Sequence, residues 1–176
     1  GESFTRYSLN PIFHKKNKLI IAIHTVMKVN DTFRIWYSEG DSWEFINGQP
    51  YPRYHIRYAE SKDGILIGDV DNKCIDLIGD EYRIGRPRVY NKNNGYEMFY
   101  TKGHLDGQYI SGYATSDDGI KWKRQDDKIG LKVSKSGWDS EMIAYPSIIK
   151  TKKKTYLFYN GNNYGYDGFG YAELIT

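Results

Sequence analysis

One pattern recurs three times along these 176 residues: a short strand, a polar turn, then an aromatic strand that closes on tyrosine. It reads His24-Thr25-Val26-Met27-Lys28 with Phe33-Arg34-Ile35-Trp36-Tyr37, then Arg86-Pro87-Arg88-Val89-Tyr90 with Tyr96-Glu97-Met98-Phe99-Tyr100. The third copy is Tyr145-Pro146-Ser147-Ile148-Ile149 with Tyr156-Leu157-Phe158-Tyr159. The closing tyrosines are 63 and 59 residues apart. A second marker keeps step: Arg57-Tyr58-Ala59-Glu60-Ser61, Gly112-Tyr113-Ala114-Thr115-Ser116 and Gly170-Tyr171-Ala172-Glu173-Leu174, its tyrosines 55 and 58 apart. Two markers at one period mean that each repeat is a supersecondary unit burying its faces on its neighbours.

Each unit predicts an antiparallel meander of about four strands. β-branched and aromatic residues fill the runs, and Gly, Asn, Asp and Pro punctuate them. Asn94-Gly95 is the expected hairpin turn, and Asp63-Gly64-Ile65 and Asp118-Gly119-Ile120 mark two further turns. No apolar run follows the i, i+3, i+4, i+7 spacing of a helix. Four-stranded units repeated about an axis make a β-propeller, so the expected fold is all-β, with blades at roughly 14–80, 81–138 and 139–176. Propellers close with four to eight blades. Three blades therefore predict self-association, blades missing from the N-terminal side, or closure by Phe4 to Phe13 as an outer strand.

Composition removes several classes of function. Seventeen Tyr, seven Phe and four Trp are too many aromatics for a disordered chain. The longest apolar run, Leu19 to Ile23, is far short of a membrane-spanning helix, so no membrane partner is expected. A single cysteine, Cys74, excludes an internal disulfide or a cysteine-ligated zinc and reads as an idle thiol. No metal and no cofactor are expected. The net charge is only +3, and Lys150, Lys152, Lys153 and Lys154 read as a solvated turn, which argues against a nucleic-acid partner. Gly1 reads as an expression remnant, and no signal-peptide pattern follows it. With the lone cysteine, that favours a cytoplasmic setting. Asn30-Asp31-Thr32 is a sequon of the kind chance produces.

A further set of phrases carries a resemblance: Tyr54 to Ile65 (YHIRYAESKDGI), Gly85-Arg86-Pro87, Gly137-Trp138-Asp139-Ser140-Glu141, Tyr145-Pro146, Tyr159-Asn160-Gly161-Asn162 and Gly168-Phe169-Gly170-Tyr171-Ala172. Together they resemble the later blades of the five-bladed propeller superfamily of arabinanases, β-xylosidases and invertases, and within it proteins related to glycoside hydrolase family 43. The resemblance runs from about Leu19 to the C-terminus and implies the last three of five blades. It also implies a carbohydrate partner, held in a funnel at one end of the axis with acidic groups at the entries to the inner strands.

Glycoside hydrolysis needs two carboxyl groups across the scissile bond, the acid kept protonated by burial or by a neighbouring charge. Asp80 and Glu81 precede Arg86-Pro87, and Asp139 and Glu141 precede Tyr145-Pro146. Glu39 and Asp41 are expected on a loop. The enzyme reading makes Glu141 the acid, with Asp139 or Glu81 tuning it. The plainer reading has these acids capping turns or pairing with lysines. Arg86, before a proline, is expected to point into the axis and hold a carboxylate or hydroxyls, or to pair with Glu81 or Glu141. Trp138 offers a stacking platform or an ordinary packing ring. Tyr145 and Asn160 offer hydroxyl and amide groups, and His24 faces the channel. Two departures from the resemblance count against activity: His24-Thr25 stands where an aspartate-proline is implied, and Gly85 where an acid is implied. The base or nucleophile would come from a first blade that this sequence lacks. The alternatives are a non-catalytic module binding glycan or protein, or an inactive truncated remnant.

Overall fold

The computed structural model describes residues 2–65, 67–68 and 72–175; Gly1, read above as an expression remnant, lies outside them. Eleven strands follow in order: β1 (Ile20–Val29), β2 (Thr32–Ile46), β3 (Gln49–Ser61), β4 (Asn72–Lys73), β5 (Glu81–Lys92), β6 (Gly95–His104), β7 (Tyr109–Ser116), β8 (Lys123–Arg124), β9 (Met142–Lys150), β10 (Thr155–Asn160) and β11 (Phe169–Glu173). The described residues contain no α-helix, only short 3-10 turns at Asp126–Ile129 and Asn163–Gly165. The chain is all-β.

Strands β1 to β4 form one antiparallel meander, β5 to β8 a second, and β9 to β11 a third with only three strands. The separation expected from the repeat is incomplete. A short parallel ladder, Tyr109 to Met142 and Ile110 to Ile143, joins β7 to β9, so the last two meanders form one continuous sheet.

Local sequence explains the matching turns. In each of the first two meanders, a serine and an aspartate two residues on close a turn around a left-handed glycine. Gly64 (φ 78°) donates its N–H to Ser61 Oγ at 2.9 Å, and Gly119 (φ 79°) to Ser116 Oγ at 2.8 Å. The β5–β6 hairpin turns one residue earlier than expected, through Asn93 (φ 47°) and Asn94. Gly95 already belongs to β6, where a Cβ would lie 2.4 Å from the Ser116 carbonyl oxygen.

The core lies between meanders. Trp36, Ile56 and Tyr58 pack with Ile84, Val89, Met98 and Tyr100 between the first and second, and Phe99 and Tyr113 with Ile143, Leu157 and Tyr159 between the second and third. The same cross-strand aromatic pair recurs in each: Trp36 with Tyr58, Phe99 with Tyr113, and Phe158 with Tyr171, ring centroids 5.0–5.6 Å apart. Burial of the tyrosine differs sharply. Tyr58 is 1% exposed and Tyr113 6%, each under the following meander, whereas Tyr171 is 62% exposed.

Two local expectations need correction. Residues 4–13 form no strand: Phe4 is 98% exposed, and Phe13 sets its ring edge-on against Tyr37 at 5.4 Å. The outer strand of the first meander is β4. Glu39 and Asp41 lie within β2, where Glu39 is buried and ion-paired to Lys15 at 2.8 Å. Cys74 is buried, and burial pushes its thiol up to about 12, which leaves it protonated and unreactive.

Candidate functional site

Each inner strand carries the same bulge. In β5, Arg86 and Pro87 together oppose Tyr100; in β9, Tyr145 and Pro146 oppose Tyr159; in β1, Ile23 and His24 oppose Tyr37. Proline has no N–H for the ladder, and a bulge is where a strand interior accepts it. The residue before each proline takes a left-handed backbone, Arg86 at φ 55° and Tyr145 at φ 58°. That conformation is uncommon for a side-chain-bearing residue and re-aims the side chain out of the strand's alternation. The following register sets Ile23, not His24, level with Arg86 and Tyr145.

The bulges are pinned from the neighbouring meander by the residue after each closing tyrosine. Ser38 Oγ accepts the Arg86 N–H at 3.3 Å, and Thr101 Oγ1 accepts the Tyr145 N–H at 2.9 Å. Ser38 also meets His24 Nε2 at 3.0 Å. Burial, with the Arg86 and Arg88 charges, lowers His24 to about 4, so its imidazole is neutral at pH 7.

Beside the bulges lies a cluster of tyrosines around a second arginine. Arg83 is 6% exposed, and its guanidinium carbon lies 4.2 Å from the Tyr109 ring centre, 5.0 Å from Tyr82, 5.6 Å from Tyr51, 5.8 Å from Tyr164 and 5.9 Å from Tyr54. The Tyr54 and Tyr109 hydroxyls share a hydrogen bond of 2.9 Å. Arg86 lies 4.2 Å over Tyr145, whose ring meets Tyr109 edge-on at 5.8 Å. Arg83, Tyr109, Tyr145 and Arg86 thus form one continuous series of cation–ring and edge-on ring contacts. Tyr54 also explains a departure from the resemblance: a Cβ at Gly85 would lie 2.5 Å from the Tyr54 ring and 2.6 Å from Ser38 Oγ, leaving no room for an acid.

The carboxylates are arranged differently. Glu81 is buried and saturated: Arg124 donates to both its oxygens at 2.6 and 2.8 Å, the Ile78 N–H donates at 2.9 Å, and Lys102 stands at 3.3 Å. Burial opposes its ionisation, yet these donors hold it below the usual glutamate range, so it is a carboxylate at neutral pH. Asp139 is buried and accepts the Tyr159 hydroxyl at 2.9 Å. Glu141 is exposed and its carboxylate is in no hydrogen bond or ion pair among the described residues; its backbone is tied to Tyr109 N and to Asn162 Oδ1. Glu81 and Glu141 are not in contact.

Of the remaining residues singled out in the sequence, Asn160 donates to the Tyr164 carbonyl at 3.4 Å and so borders the tyrosine cluster. Trp138 stacks on Tyr159 at 5.5 Å and 14°, lying against Gly161 and Gly170, where side chains would collide with its ring. His24, Arg86 and Tyr145 converge at the bulges; Glu81, Asp139 and Trp138 lie with other partners. Sequence reasoning did not single out Arg83, Tyr54, Tyr109 or Tyr164. A polar residue after every closing tyrosine (Ser38, Thr101, Asn160) was the available pointer to the bulge contacts. A cavity of about 570 Å³ lies elsewhere, between the second and third meanders, lined by Phe99, Ile129, Leu157 and Leu174. No cluster of three or more His, Cys, Asp or Glu among the described residues is placed to hold a metal.

No family model matches the sequence. The chain is 32% identical over 177 residues to the uncharacterized protein Rv1502 of Mycobacterium tuberculosis, covering 99% of this chain but 58% of that protein. Among solved structures, it superposes on Zg3597, a family 117 glycoside hydrolase from the marine bacterium Zobellia galactanivorans, with a TM-score of 0.70, 18% identity, and coverage of 92% of this chain and 54% of the other. A thermostable family-43 glycoside hydrolase gives a TM-score of 0.67 at 17% identity, covering 94% and 57%. The chain therefore spans little more than half the length of the proteins it matches. At these identities the likeness is one of fold, and the fold is that of the propeller glycoside hydrolases.

Proposed function

We propose that this chain binds a carbohydrate where its inner-strand bulges meet, as three blades of a glycosidase-type propeller. The observation that carries this reading is the pair of left-handed residues before Pro87 and Pro146, which turn Arg86 and Tyr145 toward one tyrosine-rich floor. Tyrosine rings suit the apolar C–H faces of sugars, and the Arg86 guanidinium and the Tyr145 hydroxyl suit their oxygens. Hydrolysis needs two facing carboxyl groups. Glu141 supplies one uncommitted carboxylate, whereas Glu81 and Asp139 already have partners, so this chain binds sugar without cleaving it unless another segment or subunit adds the second acid. A glycan array followed by hydrolysis assays tests both halves. Arg86→Ala should abolish binding. Glu141→Gln should leave binding intact and stop any turnover the parent has. A parent that binds no glycan in any oligomeric state refutes the reading.

The same reading extends to assembly. Tyr171 occupies the place that Tyr58 and Tyr113 fill under a following meander, and Asn160 the place from which Ser38 and Thr101 accept the next bulge. A further blade, from a second copy or from additional chain, seats on this face. Light scattering should show the 176-residue chain self-associating and Tyr171→Asp shifting it to monomer; a parent monomeric at all concentrations refutes the second-copy version.

A further inference from the structure

Arg83 is the exception among the buried cations. Arg124 and Lys102 share Glu81 and Asp126, and Lys15, Lys18 and Arg57 surround Glu39. Arg83 has no carboxylate within ion-pair distance among the described residues. Among the described residues its buried Nε has no hydrogen-bond partner, and its guanidinium makes one hydrogen bond, from Nη2 to the Tyr164 hydroxyl at 3.2 Å. Tyrosine faces offset part of the cost of burying such a charge, but a guanidinium fork left without an anion is an unusual resting state. Arg86, on the far side of Tyr109 and Tyr145, is exposed and also without an acidic partner among the described residues. Arg88 adds a third positive charge, its Nη1 3.4 Å from the His24 carbonyl oxygen. His24, whose proton affinity is lowered first by burial, is lowered further by the Arg86 and Arg88 charges.

We propose that the ligand of this site is an acidic sugar, one bearing a carboxylate, sulfate or phosphate, and that Arg83 recognises its oxyanion, with Arg86 adding positive charge beyond Tyr109 and Tyr145. The inference rests on the carbohydrate reading above and names the class of sugar. A planar guanidinium pairs with such oxyanions through two parallel hydrogen bonds, roughly twice as strong as bonds between neutral groups. The Tyr164 hydroxyl is the one hydrogen-bond acceptor among the described residues that an oxyanion has to replace. Tyr164 lies on the 3-10 turn, is partly exposed, and takes a left-handed backbone at φ 59°.

Calorimetric titration of the full chain with matched pairs tests this. The pairs are a galacturonate trisaccharide and its galactose counterpart, a sulfated and an unsulfated galactose disaccharide, and glucose 6-phosphate and glucose. The acidic member of at least one pair should bind ten or more times tighter than the neutral one, and which pair does so identifies the oxyanion. Arg83→Lys, which keeps the charge and loses the fork, should weaken binding of the acidic member at least ten times more than binding of the neutral one. Tyr164→Phe should retain the preference. In the parent protein, the Arg83 Nε–H resonance should shift with the acidic member only. Equal binding within every pair overturns the inference and leaves the carbohydrate reading standing. Equal loss of acidic and neutral binding in Arg83→Lys also overturns it, because that marks a structural arginine. Failure of the parent to bind any of these sugars overturns the inference, and a blank glycan array beside it overturns the carbohydrate reading as well.

Discussion

Glu81 is the residue at which a catalytic and a structural reading diverge most measurably. Its two oxygens receive Arg124, Lys102 and the Ile78 N–H, and Arg124 and Lys102 go on to Asp126, which also accepts the Tyr100 hydroxyl. Glu81→Gln keeps the shape, but it turns one acceptor into an amide that faces two cations. Removing one partner of a buried ion pair costs about 3–5 kcal/mol, because the other charge stays desolvated. Asp126 still holds Arg124 and Lys102, so the lower end of that range applies, about 3 kcal/mol. With a urea m-value of about 2 kcal/mol/M, the unfolding midpoint should fall by about 1.5 M at unchanged slope. Glycan binding, measured on the folded variant at low urea, should be unaltered. A midpoint shift under about 0.5 M would refute the claim that Glu81 anchors the second meander. Loss of binding in a folded variant would return it to the site.

Gly85→Asp, which restores the acid that the resemblance implies, should destabilise by at least 2 kcal/mol through overpacking against Tyr54, with Gly85→Asp/Tyr54→Ala recovering part of the loss in thermal melts. Two titrations should appear in stability against pH. His24 has a folded value of about 4 against an ordinary 6.5, so the unfolded chain takes up the proton first and stability falls as pH drops from 6.5 to 4; His24→Gln should flatten that limb. Asp126 resists burial through hydrogen bonds from Tyr100, Arg124, the Tyr113 N–H and Lys102, which hold it at about 2 against an ordinary 3.8. Its contribution is complete above pH 3.8 and lost as pH falls toward 2; Asp126→Asn should remove that lower limb from urea midpoints measured across the range.

The sequence made the succession of meanders legible because strand pairing is periodic. The aromatic before each closing tyrosine pairs across the ladder with the tyrosine of the second marker in all three meanders, so two local motifs reported one tertiary contact. The outer strands were not legible, since β4 and β8 are two residues long and lack any run to read. The arginine–tyrosine cluster was hidden for a different reason. Its members come from β3, β5, β7 and the last 3-10 turn, and in a chain with seventeen tyrosines no single one stands out by composition.

The prolines carried more information than the acids, for a physical reason. Arg86-Pro87 and Tyr145-Pro146 read in sequence as strand starts, because proline cannot donate to a ladder; β5 and β9 in fact begin earlier, at Glu81 and Met142. In β5 and β9 the proline inside the strand sits at a bulge, and a bulge re-aims the preceding side chain. The same backbone event thus interrupts the ladder and aims Arg86 and Tyr145. An acid ahead of a strand has no such constraint and takes whatever cation is near, as Glu81 takes Arg124. In β1 the bulge survives without proline, held by Thr25 Oγ1 donating to the Pro87 carbonyl at 2.8 Å and by the His24–Ser38 contact. There the level position holds Ile23, an apolar side chain that adds nothing to balance the two arginines. The chemistry at the bulges therefore follows from which residue takes the first position of each, and in this chain those residues are isoleucine, arginine and tyrosine, which supply one positive charge and one phenol and no carboxyl group.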